Sequence, residues 1–302
     1  MTALPATRTP TPGGEAALRR DLAARRAGRW FMWVVPIGAF VFLWVPIAVL
    51  VVFSFNDGES VSVWRGATLR WYENLFGALS GGGRFQSDLL VQAVRNSLVV
   101  AGISTLVATV FGTMFALAVA RGRFPGRRLL DALFYLPVVI PDITMGVSLA
   151  VFFRIVFELV LQTTGVRLVS GFGTIVIAHV AFNVAYVAIV VRARLATMDP
   201  ALEEAARDLG ANERQTFWRV TFPMLAPGVV AAALLAFTLS LDDFVVTFFT
   251  SGVGTTTLPM FVYGLLKQRV PPEINAVSTL MILASLVLVG ASLLLQRRSA
   301  DR

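Results

Sequence analysis

Three aspartates, Asp142, Asp242 and Asp243, stand within or at the ends of long apolar runs. A charge at the centre of a bilayer costs at least about 2.5–3.5 kcal/mol, so such groups usually face a bundle interior or a water-filled cavity and mark a solute path. Carboxylates there can replace the water around a cation, and the ring faces of Phe244 or Tyr263 can add cation–π attraction. The competing reading pairs these acids with Arg154 or Lys267, or uses them to cap broken helices. Adjacent helical residues point about 100° apart, so Asp242 and Asp243 do not face one lane equally. Other chemistry is sparse. There is no cysteine, and the single histidine, His179, has no metal-binding partner; it reads as a hydrogen-bonded packing residue with Asn183 one turn later. The sole lysine, Lys267, lies between Leu266 and Gln268, so no phosphate-binding loop of the Gly-Lys-Ser/Thr kind exists. No cofactor and no ATP site is expected in this chain.

The elements that must hold these residues are helices in a membrane. Hydrophobic residues make up 56% of the 302 and charged residues only 15%, against about 45–50% and 25% in soluble domains. Six segments, about 31–55, 94–120, 129–153, 172–191, 225–250 and 276–296, reach the roughly 20 apolar residues that cross a 30 Å hydrocarbon core. Backbone groups must be satisfied internally in lipid, so each is predicted helical. Pro137 and Pro141 are expected to kink the third span, and both acid sites fall about 20–25 Å from the inner ends of their helices. With both termini inside, 18 of the 26 basic residues lie in cytoplasmic pieces and 8 outside, the bias expected of cytoplasmic loops. Residues 1–30 form a flexible basic tail, 31–298 the transmembrane domain and 299–302 a short cytoplasmic end. The first apolar run, about 25 residues, is too long for a signal-peptide core. Despite the net charge of +8, the basic residues come in ones and twos with no aromatic-interleaved stripe, so nucleic-acid binding is not expected. Trp64, Trp71 and Tyr72 in the outer connection read as interfacial anchors, and Gly81-Gly82-Gly83 as a flexible turn. Gly112 and its small neighbours in the second span favour close helix packing.

Between the fourth and fifth spans, residues 199–223 carry both charge and apolar surface. Asp199 is placed to cap a helix that Pro200 starts, with Glu203 and Glu204 in its first turn, matching the dipole. Gly210 permits a left-handed stop. A second short helix, about 212–222, carries Phe217, Trp218, Val220 and Phe222, and Pro223 is expected to end it. A plain solvated loop explains the charges but not Phe217 and Trp218. A docking element for a cytoplasmic partner explains both.

The order Glu204-Ala205-Ala206, Gly210, then nine residues to Val220-Thr221-Phe222-Pro223 closely resembles the EAA motif of ABC importer permeases, with Val for Ile and Phe for Leu. Leu136 to Asp142, Leu239 to Phe244, Trp71-Tyr72, Asn96 to Leu98 and Pro272 to Ala276 resemble the permeases for spermidine and putrescine, a likeness that runs from about residue 30 to 298. The resemblance implies an all-α, six-span, type I (MetI-like) permease of a bacterial inner membrane. It implies a second homologous permease, two ATP-binding subunits and an extracytoplasmic solute-binding protein as partners. Residues Glu203, Glu204, Ala205, Ala206, Gly210, Phe217 and Pro223 would then couple to the ATPase, and Asp142, Asp242 and Asp243 would line the substrate path. Opines, amino-acid derivatives and other small solutes remain alternative cargoes. A stand-alone secondary transporter leaves the elbow unexplained, and an intramembrane enzyme has no nucleophile–base set.

Overall fold

The computed structural model describes residues 12–58, 63–79, 87–122, 124–268 and 273–300. Among these there is no β-strand, and six helices are long and apolar enough to cross a membrane: Trp30–Phe53, Leu89–Arg121, Asp142–Thr164, Phe172–Ala196, Glu213–Asp242 and Glu273–Leu294. The Gly81–Gly83 run lies outside the described residues.

One unit is helix α1 (Pro12–Phe53), which carries Pro36 and Pro46 in its interior. It begins nineteen residues before the expected start of the first span, so the tail read as flexible is helical from Pro12. Residues 15–27 are rich in alanine, leucine and arginine, which are among the strongest helix formers.

The second unit, Ser54–Arg302, holds the remaining helices. It opens with an ordered turn in which Asn56 and Ala67 form an isolated antiparallel bridge. Asn56 is buried; its side chain donates to Val63 O and accepts from Arg65 N–H, and its carbonyl accepts from Trp71 Nε1–H at 2.7 Å. Trp71, on α2 (Arg70–Leu79), is thereby drawn into the protein core, and Tyr72 O–H meets Ser54 Oγ at 2.6 Å. These two aromatics are packing residues and not headgroup anchors; Trp64 remains exposed.

The centre of the bundle is formed by α3 (Ser87–Arg121), α6 (Phe172–Ala196) and α9 (Phe222–Asp242). Their shared core is small and branched: Ala108, Ala116, Val187, Ala188, Val191, Ala232 and Ala236. A Cβ on Gly112 would stand 2.7 Å from Val187, so α3 and α6 approach each other over a backbone that no larger residue allows.

Two expected spans are broken. The run read as a single third span is α4 (Arg127–Val139) followed by α5 (Asp142–Thr164). Pro141 disfavours helical geometry at the residue before it, and Ile140 is extended at φ −70°, ψ 130°. The membrane-crossing part is α5, which ends eleven residues beyond the expected limit and carries Arg154 and Glu158 within the helix. In the fifth span, α9 stops at Asp242, Asp243 is extended at ψ 125°, and a short α10 (Val245–Thr250) follows. Helix α10 packs on α5, with Gly146 admitting Phe249. After α11 (Leu258–Gln268), α12 (Glu273–Ala300) packs along α9.

Candidate functional site

The elbow between α6 and α9 contains α7 (Ala201–Asp208) and α8 (Glu213–Thr216). Asp199 Oδ1 accepts from Ala201 N–H at 2.9 Å, satisfying a donor at the start of α7. At the other end Ala211 N–H donates to Ala206 O and Gly210 N–H to Arg207 O, the paired bonds of a Schellman turn. Gly210 has φ +86° with open space around its Cβ position, so the backbone angle and not crowding requires glycine. Asn212 and Gln215 then form a reciprocal capping box that starts α8.

The second elbow helix does not end at Pro223. Residues Glu213–Asp242 form one continuous helical stretch, in which Phe217–Thr221 is a π-helical turn and Phe222 N–H reaches back to Phe217 O. Pro223 lacks an N–H and its ring crowds the carbonyl one turn back; the wide π turn ahead of it relieves both demands, so Pro223 sits in the first turn of α9. The fifth span is therefore continuous with α8, the second helix of the elbow.

Glu203 fastens the elbow together. It accepts from Thr221 Oγ1–H at 2.7 Å, is ion-paired with Arg121 at the end of α3, and lies 3.8 Å from Arg207. Its partner Thr221 is buried. Glu204 and Ala205 face outward, and Ala206 is half-buried. Leu209, 90% exposed, and Trp218, 56% exposed, form the outer apolar surface. Trp218 rests against Phe217 and Phe222 at ring separations of 5.2 and 5.1 Å. Of the residues expected to couple to a partner, Glu204, Ala205 and Pro223 are presented outward, while Glu203 and Phe217 shape the elbow from within.

The three aspartates separate sharply. Asp243, with 11% of its side chain exposed, accepts from the N–H groups of Val246 and Thr247 and from Thr247 Oγ1–H, and so caps α10 across the break. Thr247 spends its one hydroxyl proton on Asp243, so fully buried His179 donates to it through Nε2 at 2.9 Å; that same nitrogen is 3.3 Å from Asp243 Oδ2. His179 Nδ1 meets Ser240 Oγ at 2.9 Å, and Asn183 Nδ2 donates to the same hydroxyl. Ser104 of α3 joins it at 2.8 Å. A buried carboxylate is tolerated because each oxygen has a donor. Asp242, by contrast, is exposed and accepts from Ser285 Oγ–H of α12 at 2.7 Å. Asp142 is exposed in the first turn of α5, where a carboxylate complements the helix dipole. None of the three pairs with Arg154 or Lys267 among the described residues.

Several of these partners were not anticipated. The Glu203–Thr221 and His179–Ser240 pairs lie 18 and 61 residues apart in the chain and have no local signal. Another is the ion pair of Asp131 on α4 with Arg192 on α6, over which Tyr135 also lies. The Asn212-x-x-Gln215 box, however, is legible in the sequence.

Among the described residues, six helices long and apolar enough to cross a membrane, two of them in broken spans, and an elbow whose second helix runs into one of them define a multi-pass membrane subunit. Residues 108–302 match the family described as binding-protein-dependent transport system inner membrane component. The putrescine transport system permease protein PotI of Escherichia coli K12 is 40% identical over 86% of this chain and 88% of its own length. The spermidine/putrescine permease PotC of Haemophilus influenzae is 38% identical over 89% and 96%. The sulfate permease CysT of Salmonella typhimurium is 32% identical over 70% and 79%. In fold, a solved bacterial ABC transporter for the acidic polysaccharide alginate aligns over 94% of this chain and 99% of its own, with TM-score 0.67 at 18% identity. The MetNI methionine ABC transporter aligns over 72% and 99%, with TM-score 0.56. The chain belongs to the binding-protein-dependent inner membrane components, the permease subunits of ABC importers.

Proposed function

We propose that this permease forms the translocation path for a polyamine, putrescine or spermidine. Asp242 carries the reading in the geometry: an exposed carboxylate at the end of α9, two residues before Phe244, whose ring centroid is 4.5 Å from that of Tyr263. A carboxylate and a ring face together replace the water around an ammonium group. The relatives named for putrescine and spermidine support the same cargo. Asp142 contributes a second exposed carboxylate to the path.

The importer is completed by a second homologous permease, two ATP-binding subunits and an extracytoplasmic binding protein. Both termini and the elbow lie on the cytoplasmic side. ATP-driven closure of the ATPases moves the elbow through contacts with Glu204, Leu209 and Trp218. Because α8 and α9 lie in one helical stretch, movement received at Trp218 is carried along it to Asp242 and alternates access between the two faces.

The sulfate permease among the relatives gives a second reading weight, because this architecture also serves solutes without an ammonium group. Uptake of labelled putrescine and spermidine, in parent cells and in a strain lacking only this gene, tests the proposal. Loss of uptake that the intact gene restores supports a polyamine path. Unchanged uptake in a strain without a redundant system turns the search to opines, amino-acid derivatives and other small solutes.

A further inference from the structure

Helix α1 begins at Pro12, so residues 12–29 lead into the apolar stretch Trp30–Phe53 as part of one helix. Those leading residues carry five arginines, Arg19, Arg20, Arg25, Arg26 and Arg29, against two acids, Glu15 and Asp21. Asp21 stands one turn before Arg25, and the next acid in the chain is Asp57, so Arg26 and Arg29 have no carboxylate within four residues. The helix turns about 100° per residue, which places Arg25, Arg26 and Arg29 within about 100° of its circumference. Trp33 falls in the same arc, one turn after Arg29. At a rise of 1.5 Å per residue the three arginines precede Trp30 by about 2 to 8 Å, whereas Arg19 and Arg20 lie about 15 Å or more back. Trp30 and Trp33 are 69% and 70% exposed, and indole rings at the end of a span settle at the headgroup level.

A general bias of basic residues toward the cytoplasm accounts for arginine before a span, but it is indifferent to depth and to the side of the helix. The register selects both. We propose that Arg25, Arg26 and Arg29, together with Trp30 and Trp33, form a headgroup site for an anionic phospholipid such as phosphatidylglycerol. The guanidinium forks match the oxygens of a phosphodiester, and the indoles supply amphipathic surface where the acyl chains begin. An anionic membrane surface favours each basic residue close to it about five-fold, and its potential decays within a Debye length, about 8 Å at physiological ionic strength. That range takes in Arg25, Arg26 and Arg29 and leaves out Arg19 and Arg20. A lipid held there fixes the depth of the first span. The site lies on α1 alone, apart from the elbow and the aspartates, and is independent of which solute the permease carries.

The test uses the assembled importer in nanodiscs of neutral lipid, doped with equal amounts of photoactivatable phosphatidylglycerol and phosphatidylcholine that share the same acyl chains. Mass spectrometry counts the cross-links of each lipid to residues 30–33, a readout confined to this chain whatever the other subunits bind. In the parent, phosphatidylglycerol is expected to exceed phosphatidylcholine at least about five-fold. The triple variant Arg25→Gln, Arg26→Gln, Arg29→Gln should bring the two lipids to parity, and the double variant Arg19→Gln, Arg20→Gln should keep the parental bias. Parity in the parent, an unchanged bias in the triple variant or an equal loss in the double variant overturns the proposal. Should the triple variant fail to assemble, salt decides in the parent: the Debye length shrinks to about 3 Å at 1 M, and a bias that does not fall with it overturns the site. Soluble glycerol phosphate should leave the bias in place; its loss on that addition would assign the arginines to a free phosphate ester and end the lipid reading.

Discussion

Asp242 and Asp243 are neighbours with opposite duties, and the backbone between them explains why. Helix α9 ends at Asp242, and Asp243 is extended, so the second carboxylate turns inward to cap α10 and meet His179 while the first stays exposed. Removing a charge-assisted partner from a solute path costs about 1.5–3 kcal/mol, or roughly tenfold or more. Asp242→Asn is therefore expected to lower putrescine uptake at least about tenfold while the complex still co-purifies; parental uptake would take Asp242 out of the path. Asp243→Ala should act on stability instead. It strips the Thr247 hydroxyl and two backbone donors of their acceptor, at a cost of about 1–3 kcal/mol. Thermal unfolding of the purified complex measures this, and an unshifted midpoint would mean that water replaces the carboxylate.

At the scale of elements, the elbow is held by a few specific contacts. Glu203 joins α7 to the π turn through Thr221 and to α3 through Arg121. If the Glu203–Thr221 bond is a single unit, Glu203→Gln and Thr221→Val together should destabilise the complex by less than the sum of their separate effects. Strict additivity in that double-mutant cycle would show two independent roles. Gly210 stands at φ +86°, a geometry closed to proline, whose ring fixes φ near −65°. Gly210→Pro must therefore reorient α8 relative to α7, and Glu204→Lys reverses an outward charge on the same face. Both variants are expected to hydrolyse ATP in proteoliposomes with little accompanying uptake. A parental ratio of transport to hydrolysis in both would refute the coupling role of this face.

At the scale of the whole molecule, the proposed coupling calls for a long helix that ends in a defined break. The stretch from Glu213 to Asp242 is about 45 Å long at 1.5 Å per residue, longer than the hydrocarbon core it must cross. It can therefore reach from a partner at the membrane surface to the exposed carboxylate of Asp242 at its far end. The proposed orientation rests on charge, and it predicts that reporters fused before residue 12 and after residue 300 are both active only in the cytoplasm. A periplasmic signal from either would invert the topology and place the elbow on the wrong side for an ATPase.

Much of this was legible in the sequence. Six spans followed from hydropathy alone, because lipid forces any long apolar segment to satisfy its own backbone. The elbow followed from Pro200, Gly210 and the acids of the first turn, since caps and left-handed stops are local and depend on residues within one helical turn. The break at Pro141 was expected only as a kink, and the one at Asp243 was raised only as a possible cap. Breaking a helix releases backbone donors, and whether a carboxylate answers them depends on which groups packing brings near. For the same reason the sequence left Asp142, Asp242 and Asp243 as equals. Only the tertiary structure separated them, by setting His179 and Thr247 against Asp243 and Ser285 against Asp242, and by leaving Asp142 exposed in the first turn of α5. Those contacts join residues up to 64 positions apart, a separation over which neither periodicity nor composition carries information.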